Sequence, residues 1–426
     1  MRELDGNRQV RFVDAYMGIR LNNRQSTTVT SKPSSRDVRL PEARKAKAYF
    51  DGTRLTGCIG HSILRPLRAD RSSGWLFPVR NFWPRILKMA ARVVQGLQMA
   101  PERRTTLELD RETIQRIVQN LDPGLVADGF ARLHGGSTEV YRIDFAGADC
   151  EPLVLKIYPD EPEWGPAKEK LVAGWFTELT PLAPKWLAID ESRSLLPLRY
   201  ALLPLLPGRS LRGWVAEPDI DNAYRQMGAL LRHIHAMPMP AYGYVVGHGI
   251  AKPMPTNADY MTSAFEDVFR RFRDFGGDAD LGRRLQQLAE GSIDLLRESS
   301  GAVLCHDDFH QGNVLALRTD PGGLQLSGLV DFGNARAADK LFDLAKALFC
   351  SAHEDPRSRK PILEGYGALD HPDIERALWL YTLFHRVSMW CWLTKLGLEP
   401  TNENGPGGLI RDLRTMSTGL GSWRRC

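Results

Sequence analysis

Short apolar runs separated by turn residues dominate the middle of this 426-residue chain. Residues 302–304 and 314–317 are runs of the length expected for buried strands, and a third run covers 324–330. The segment between the last two contains Pro and two consecutive Gly residues, which is a typical turn signal. The pattern therefore predicts a strand, a polar loop and then a β-hairpin that ends at Asp331.

Further upstream, the same kind of pattern predicts a small β-rich unit. Residues 131–143 read as a strand, a glycine turn and a second strand, and residues 152–158 read as another strand. Residues 167–179 have the composition and periodicity of a helix. The apolar segment 200–206 ends at Pro and Gly, so we expect it to be a strand that leads into a hinge between two lobes.

The polar loop before the hairpin carries groups suited to phosphoryl transfer. Asp308 precedes Asn313 by five residues, which is the separation of the base and the metal-binding amide in kinase catalytic loops. Asp331, which is followed by Phe and Gly, supplies a carboxylate for Mg²⁺. Each residue alone is more often part of a polar turn. Their combined spacing predicts a site for Mg²⁺ and a nucleotide.

The upstream unit supplies candidates for binding the nucleotide phosphates. The glycine turn contains Gly135, Gly136 and Ser137, whose backbone amides are suited to covering phosphates. Two glycines between strands are most simply a hairpin, so the turn gains its meaning from the strand that follows. That strand places Lys156 among apolar neighbours, where a kinase keeps its phosphate-binding lysine.

Two carboxylates on the helix at 167–179 compete as partners of this lysine. Glu169 is favoured because it shares a helix face with buried-type residues, and Glu178 is the alternative that spacing does not exclude. At the hinge, we expect the adenine to bond to backbone groups near Leu203 and Leu205. Backbone recognition does not distinguish ATP from GTP, so ATP is the default expectation.

Composition excludes several classes of protein. The chain is 43% hydrophobic, 25% charged and 9% aromatic, which is typical of a globular protein. No apolar run approaches the length of a membrane helix, and the six cysteines contain no Cys-x-x-Cys pair. We therefore expect a cytoplasmic protein without a transmembrane segment. Nothing in the sequence indicates its oligomeric state.

Charge divides the chain near residue 98. Residues 1–98 hold 19 Lys and Arg against 7 Asp and Glu, a net charge of +12, whereas the formal charge of the whole chain is +5. This segment lacks sustained periodicity, so it is predicted to be a disordered extension or upstream sequence preceding a start at Met99. It also lacks the alternation of aromatic and basic residues that single-stranded nucleic acids select, so we expect no specific nucleic-acid partner.

Three motifs together resemble the aminoglycoside phosphotransferase family over about residues 105–390. They are His-Asp-Asp-Phe-His-Gln-Gly-Asn at 306–313, Asp-Phe-Gly at 331–333 and Asp-Leu-Ala at 343–345. The family usually has Gly where this chain has Asp307, and Pro where it has Gln311. Only Asp308 has the five-residue separation from Asn313, so it is assigned as the base and Asp307 as a supporting group.

The resemblance implies an α+β, bilobal protein-kinase-like fold. Its small N-lobe would contain an antiparallel sheet and bind the nucleotide over residues 99–206, and its mostly helical C-lobe would carry the acceptor over residues 207–426. The implied function is ATP-dependent transfer of the γ-phosphate to a hydroxyl of a small molecule, including an aminoglycoside or another antibiotic. Kinases of a metabolic amino alcohol or sugar, and a non-catalytic nucleotide-binding pseudokinase, stay open as alternatives.

The interval between two of these motifs argues against a protein kinase. Asp343 follows Asp331 by 12 residues, which leaves no room for a long activation segment. The charges expected to surround the acceptor are balanced, because residues 209–300 hold 12 acidic and 11 basic side chains. The sequence therefore predicts a small-molecule kinase and does not identify its acceptor.

Overall fold

The N-terminal lobe is built on a five-stranded antiparallel sheet. In the computed structural model, the described residues are 107, 109–133, 138–147, 150–160, 165–398, 402 and 405–419, so the predicted extension 1–98 lies outside them. Its strands are β1 (Ala127–Leu133), β2 (Glu139–Phe145), β3 (Leu153–Ile157), β4 (Ala188–Asp190) and β5 (Tyr200–Pro204). They are arranged in the order β1-β2-β3-β5-β4.

Alternation along the strands gives this sheet two different faces. Leu155 and Leu202 point to one face, where they pack with Ile114 and Ile117 of helix α1 (Arg111–Leu121). Their neighbours Val154, Ala201 and Leu203 point to the other face, in a separate apolar cluster. Lys156 pairs with Ala201 in the register, so it shares this second face.

Helix α2 (Pro166–Leu179) follows β3 and joins the two lobes. It begins with Pro at its first position, where the missing N–H is not needed. Val172 and Phe176 are fully buried in the main core, together with residues of the C-terminal lobe. The helix therefore follows the N-terminal lobe in the chain but packs in the core of the C-terminal lobe.

The C-terminal lobe is mostly helical. Its helices are α3 (Ile220–Ile234), α4 (Asn257–Asp274), α5 (Ala279–Glu290), α6 (Lys340–Glu354), α7 (Arg359–Tyr366), α8 (Ile374–Lys395) and α9 (Pro406–Met416). It also contains seven short strands: β6 (Arg209–Ser210), β7 (Tyr242–Val246), β8 (Gly249–Met254), β9 (Val303–Cys305), β10 (Val314–Thr319), β11 (Gly323–Leu329) and β12 (Arg336–Ala338). They form two small sheets with the orders β11-β10-β6 and β8-β7-β12-β9.

Helices α3 and α7 approach each other closely through two glycines. A Cβ added at Gly228 would lie 2.1 Å from the carbonyl oxygen of Ile362, and one at Gly365 would lie 1.9 Å from that of Arg225. Such distances are far below van der Waals contact, so neither position has room for a side chain. Glycine is required at this helix crossing for close approach and not for an unusual φ.

The elements agree with the sequence-based prediction in type and approximate position. The predicted strand, loop and hairpin correspond to β9, the loop 306–313 and the antiparallel pair β10–β11. The predicted α+β arrangement, with an antiparallel sheet above a helical lobe, is confirmed. Within the part of the chain that the structure describes, no helix combines the length and apolar character needed to cross a membrane.

Candidate active site

The polar loop 306–313 is held in place by one buried carboxylate from helix α6. Asp343 Oδ2 accepts the backbone N–H of His306 at 2.7 Å, and Asp343 Oδ1 accepts that of Asp307 at 2.9 Å. His235 Nε2 lies 3.2 Å from the same carboxylate. Burial alone would raise the pKa of Asp343, but the contacts with His235 and His306 outweigh this effect and the pKa is lowered. An ionised carboxylate thus fixes the start of the loop.

Asp308 and Asn313 face each other across this loop. The Asn313 Nδ2 amide donates to the Asp308 carbonyl at 2.9 Å and to Asp308 Oδ2 at 3.2 Å. The amide oxygen of Asn313 is therefore turned away from Asp308. The backbone N–H of Val330 donates to the Asn313 carbonyl at 3.0 Å, which brings Asn313 beside the residue that precedes Asp331. The two predicted metal ligands are thus on adjoining segments.

Asp308 is buried, with only 2% of its surface exposed. Burial raises its pKa, but the nearby Lys346 ammonium and the imidazoles of His310 and His306 lower it, and the net shift is downward. Burial lowers the pKa of His310, whose Nε2 lies 3.8 Å from Asp308 Oδ1. Asp308 is therefore an ionised carboxylate at neutral pH and can accept a proton.

Asp331 adopts a backbone conformation that is uncommon for its residue type. Its φ of 68° and ψ of 68° lie in the left-handed region, immediately before a short 3₁₀ turn at Phe332–Asn334. Non-glycine residues in this region are strained by roughly 1–3 kcal/mol and cluster at functional sites. The Asp331 side chain is 30% exposed, which leaves its carboxylate partly accessible to solvent.

Lys156 connects this segment to helix α2. Its Nζ lies 2.8 Å and 2.9 Å from the two carboxylate oxygens of Glu169, and 3.2 Å from Asp331 Oδ1. The Tyr158 hydroxyl also donates to Glu169, at 3.2 Å. The competing residue Glu178 is exposed near the end of the helix. The structure therefore pairs Lys156 with Glu169.

An aromatic cluster connects helix α2, the loop 306–313 and the turn that follows Asp331. The Phe332 ring lies 4.6 Å from that of Phe176 on α2 and 5.3 Å from that of His306 in the loop, measured between centroids. All three side chains are fully buried or nearly so. Lys168 adds a polar contact between α2 and the Asp-Phe-Gly turn, because its Nζ donates to the Gly333 carbonyl at 2.5 Å.

Two cations that sequence reasoning did not identify also lie at this site. Lys346 Nζ is 3.4 Å from Asp308 Oδ1 and 3.5 Å from Asp307 Oδ1, and Arg336 forms an ion pair with Asp307 Oδ2. Burial lowers the pKa of Lys346, but the two aspartates raise it well above its usual value. Both cations come from elements that follow Asp331, so no local motif connects them to the loop.

Backbone hydrogen bonds at the hinge limit which groups near Leu203 and Leu205 can contact adenine. The Leu205 N–H donates to the Pro152 carbonyl at 3.0 Å, so it is not available to a nucleotide, and Leu203 has the same orientation in its pairing with Val154. By alternation within β5, the Pro204 carbonyl points away from β3. This carbonyl is a candidate for contacting adenine. The other predicted phosphate contacts are in the glycine turn, and they lie outside the described residues: Gly135, Gly136 and Ser137.

Comparison of the sequence with known families gives one match. The model of the phosphotransferase enzyme family, APH, matches residues 130–380, which is more than half of the chain. This range covers most of both lobes and every site residue described above. No curated protein matches the chain.

Solved structures share the same fold at low sequence identity. A thermostable mutant of aminoglycoside phosphotransferase APH(4)-Ia, in a ternary complex with AMP-PNP and hygromycin B, superposes with a TM-score of 0.53 and 16% identity over 73% of this chain and 99% of that one. The GDP complex of an aminoglycoside 2'-phosphotransferase-IIIa mutant gives a TM-score of 0.53 and 15% identity over 72% and 98% of the two chains. A GDP and kanamycin complex of APH(2")-IIIa gives 0.50 and 16% over 71% and 97%. At these identities the likeness concerns the fold.

Proposed function

Because the chain belongs to the phosphotransferase enzyme family APH, we propose that it transfers the γ-phosphate of ATP to a hydroxyl group of a small molecule. The observation that carries the proposal is the position of Lys156. It bonds both Glu169 and Asp331, while Asp331 adjoins the loop that contains Asp308 and Asn313. This connected arrangement of a lysine, carboxylates and an amide supports the proposal, because phosphoryl transfer uses groups of these types.

In this mechanism Lys156 binds the nucleotide phosphates and Glu169 orients it. Lys156 is buried and contacts both carboxylate oxygens of Glu169, so its charge is pre-organised for the phosphates. The adenine would lie against Val154 and Leu203 and bond to backbone groups at the hinge. The comparison structures contain adenine or guanine nucleotides, and ATP is proposed as the donor here.

Asn313 and Asp331 fit the requirements of a magnesium site. Mg²⁺ prefers oxygen ligands. The Asn313 side chain donates to Asp308 through its Nδ2 amide, so its amide oxygen points away from Asp308. The Asp331 carboxylate is partly exposed and forms an ion pair with Lys156. When bound, the metal would neutralise charge on the phosphate oxygens during transfer.

Asp308 would act on the acceptor hydroxyl. Its carboxylate is ionised and rigidly held through Asn313, and it would orient the hydroxyl and receive its proton as the oxygen attacks the γ-phosphorus. The bond from the γ-phosphorus to the bridging oxygen of ADP breaks in the same displacement. No covalent enzyme intermediate is required, since catalysis of this reaction rests on positioning and electrostatics.

The acceptor is proposed to be a hydroxylated small molecule. Two of the comparison structures contain hygromycin B or kanamycin, and this makes aminoglycosides the first class to test. A second candidate is a sugar without amino groups. It is favoured by Lys346 and Arg336, whose positive charges offset those of the loop carboxylates Asp307 and Asp308.

A screen for ADP release tests the proposal. The purified full-length protein would be incubated with ATP, Mg²⁺ and acceptors in matched pairs, such as glucosamine with glucose, alongside hygromycin B and kanamycin. We expect at least one acceptor to stimulate ADP release in wild type and not in Asp331→Ala. ATP binding without any turnover, with or without acceptors, would instead favour the non-catalytic alternative.

A further inference from the structure

Lys168 is a buried lysine in the first turn of helix α2. Only 3% of its surface is exposed, and it is the third residue of the helix. Lysine is seldom buried, and a positive charge in this turn faces the positive end of the helix dipole. The position is therefore unfavourable for lysine unless specific contacts compensate.

Contacts with Gly333 and Tyr244 provide this compensation. Lys168 Nζ donates to the Gly333 carbonyl at 2.5 Å and lies 3.5 Å from the centroid of the Tyr244 ring. The Tyr244 hydroxyl donates to the same carbonyl at 3.2 Å. A carbonyl oxygen has two lone pairs, so it can accept both bonds. The Gly333 carbonyl is thus bonded by one side chain from α2 and one from strand β7.

The hairpin formed by β7 and β8 packs against α2 and pairs with the strand that follows the turn 332–334. A Cβ added at Gly247, between β7 and β8, would lie 3.0 Å from Ala167 Cβ. Tyr244 lies opposite Arg336 of β12 in the antiparallel register. Since β12 begins two residues after the turn, Tyr244 is fixed relative to both α2 and the end of the turn.

The turn 332–334 in turn determines where Asp331 lies. Asp331 has the left-handed backbone conformation described above, which persists only where the surrounding structure fixes it. A Cβ added at Gly333 would lie 3.2 Å from Glu169 Oε1 and 3.7 Å from Asp331 Oδ1. Because Gly333 is this close to both carboxylates, a shift of its backbone would move Asp331 relative to Glu169 and Lys156.

We propose that Lys168 and Tyr244 are positioning residues, which hold the turn 332–334 in place and so keep the Asp331 carboxylate in the orientation needed for Mg²⁺. The inference rests on the proposed function, because that function assigns Asp331 as a metal ligand. Neither side chain is assigned a contact with the metal or the nucleotide. Both act through the Gly333 carbonyl.

A positioning role predicts a change that a purely structural role does not. If one of the two bonds is lost, a smaller fraction of the molecules has the turn in its observed position, and the apparent affinity for Mg²⁺ falls by that fraction. A high concentration of Mg²⁺ selects the binding-competent form, so kcat returns. A residue that only stabilised the fold would change the amount of folded protein and leave the Mg²⁺ requirement of the folded molecules unchanged.

Two variants remove the two bonds separately. Lys168→Met removes the ammonium and keeps most of the aliphatic volume, whereas Tyr244→Phe removes the hydroxyl and keeps the ring that Lys168 contacts. Each has a matched control on the same element. Lys170→Met changes an exposed lysine of α2, and Tyr242→Phe removes a hydroxyl of β7 that bonds to Ser299.

The first measurement is the Mg²⁺ dependence of steady-state ADP release at saturating ATP, with the acceptor that most stimulates wild type. We expect the half-maximal concentration of Mg²⁺ to rise about tenfold in Lys168→Met and about fivefold in Tyr244→Phe, with kcat at saturating Mg²⁺ within about threefold of wild type. Lys170→Met and Tyr242→Phe should keep the wild-type Mg²⁺ dependence. An unchanged Mg²⁺ dependence in both test variants, or an equal rise in the controls, would overturn the proposal.

The second measurement requires neither metal nor activity. The Ala335 N–H donates to the Phe332 carbonyl at 3.1 Å, so its exchange with deuterium in the ligand-free protein reports whether the turn is held. We expect exchange at residues 332–335 to be about fivefold faster in Lys168→Met and Tyr244→Phe, and unchanged in both controls. Wild-type exchange in both test variants would contradict the inference.

These two measurements separate the inference from the proposed function. If wild type released no ADP with any acceptor, the proposed function would fail. The exchange rates of residues 332–335 would still decide whether Lys168 and Tyr244 hold the turn that follows Asp331.

Discussion

Replacement of Lys156 by Met tests the central ion pair most directly. The change removes an ammonium that lies 2.8 Å and 2.9 Å from the two oxygens of Glu169, and it retains the aliphatic bulk of the side chain. Burial lowers the pKa of Lys156, but Asp331 and Glu169 raise it well above the usual value, so the group is charged throughout the neutral range. Loss of the ammonium therefore leaves Glu169 as a buried carboxylate without its cation. It would still accept the hydrogen bond from the Tyr158 hydroxyl.

The distances set the magnitude of the effect. At about 3 Å and an effective dielectric constant of about 20, the attraction between two unit charges is about 6 kcal/mol. Removal of one partner of a buried pair typically costs about 3–5 kcal/mol, since part of the attraction compensates for desolvation. Glu169→Gln should cost less, because Lys156 keeps its contact with Asp331 at 3.2 Å. The double variant should recover part of the loss, because no uncompensated charge stays buried.

Urea unfolding of the full-length protein, followed by circular dichroism, measures these differences. We expect the free energy of unfolding to fall by about 3–5 kcal/mol in Lys156→Met and by less in Glu169→Gln, with a favourable coupling energy between the two sites. Addition of Mg²⁺ and ATP should stabilise wild type but not Lys156→Met. If Lys156→Met lost under 1 kcal/mol, the pair would contribute little, and the electrostatic reasoning applied to this site would be refuted.

Three further predictions concern other parts of the molecule. Asp308→Asn should lower kcat by about 10²–10⁴-fold while ATP binding, measured by calorimetry, is kept; near-normal turnover would remove Asp308 from its role. In thermal unfolding, Gly228→Ala should destabilise the protein by about 3 kcal/mol, because the added Cβ would clash with α7. Gly174→Ala is the control: an added Cβ there meets nothing within 4 Å, so this change should be neutral or stabilise the helix by up to about 1 kcal/mol. Equal effects of the two changes would contradict the close packing of α3 and α7. Burial lowers the pKa of His385 to about 4. The unfolded chain then binds the extra proton between about pH 6.5 and 4, so wild type should lose about 3 kcal/mol of unfolding free energy as pH falls through this window, and His385→Gln should lack that slope.

The sequence was most informative where function depends on local spacing. Asp308 and Asn313 lie in one loop between two apolar runs, so the separation along the chain fixed their proximity in space. Asp331 ends a hairpin whose turn residues were unmistakable. Glu169 could be preferred over Glu178 because one face of α2 is apolar, and burial of that face leaves Glu178 exposed.

Contacts between distant elements could not be predicted in this way. Lys346 lies within an apolar stretch of α6, where a lysine is usually a surface residue, and only the packing of α6 against the loop makes it buried. Arg336 likewise reaches Asp307 because β12 pairs with β9, which is a tertiary pairing. The backbone groups near Leu203 and Leu205 that β3 leaves unpaired could not be predicted, because they depend on strand register and a single sequence does not specify register.

The two-faced construction of β3 has a consequence for how this protein can vary. Loops around the sheet can lengthen or shorten while the strands keep their register, but loss of one residue within β3 would exchange its faces. Lys156 would then point toward α1, and an apolar neighbour would take its place opposite Glu169. Insertions and deletions in this strand should thus abolish the proposed phosphate contact of Lys156 in a single step, whereas changes of loop length should alter it by degrees.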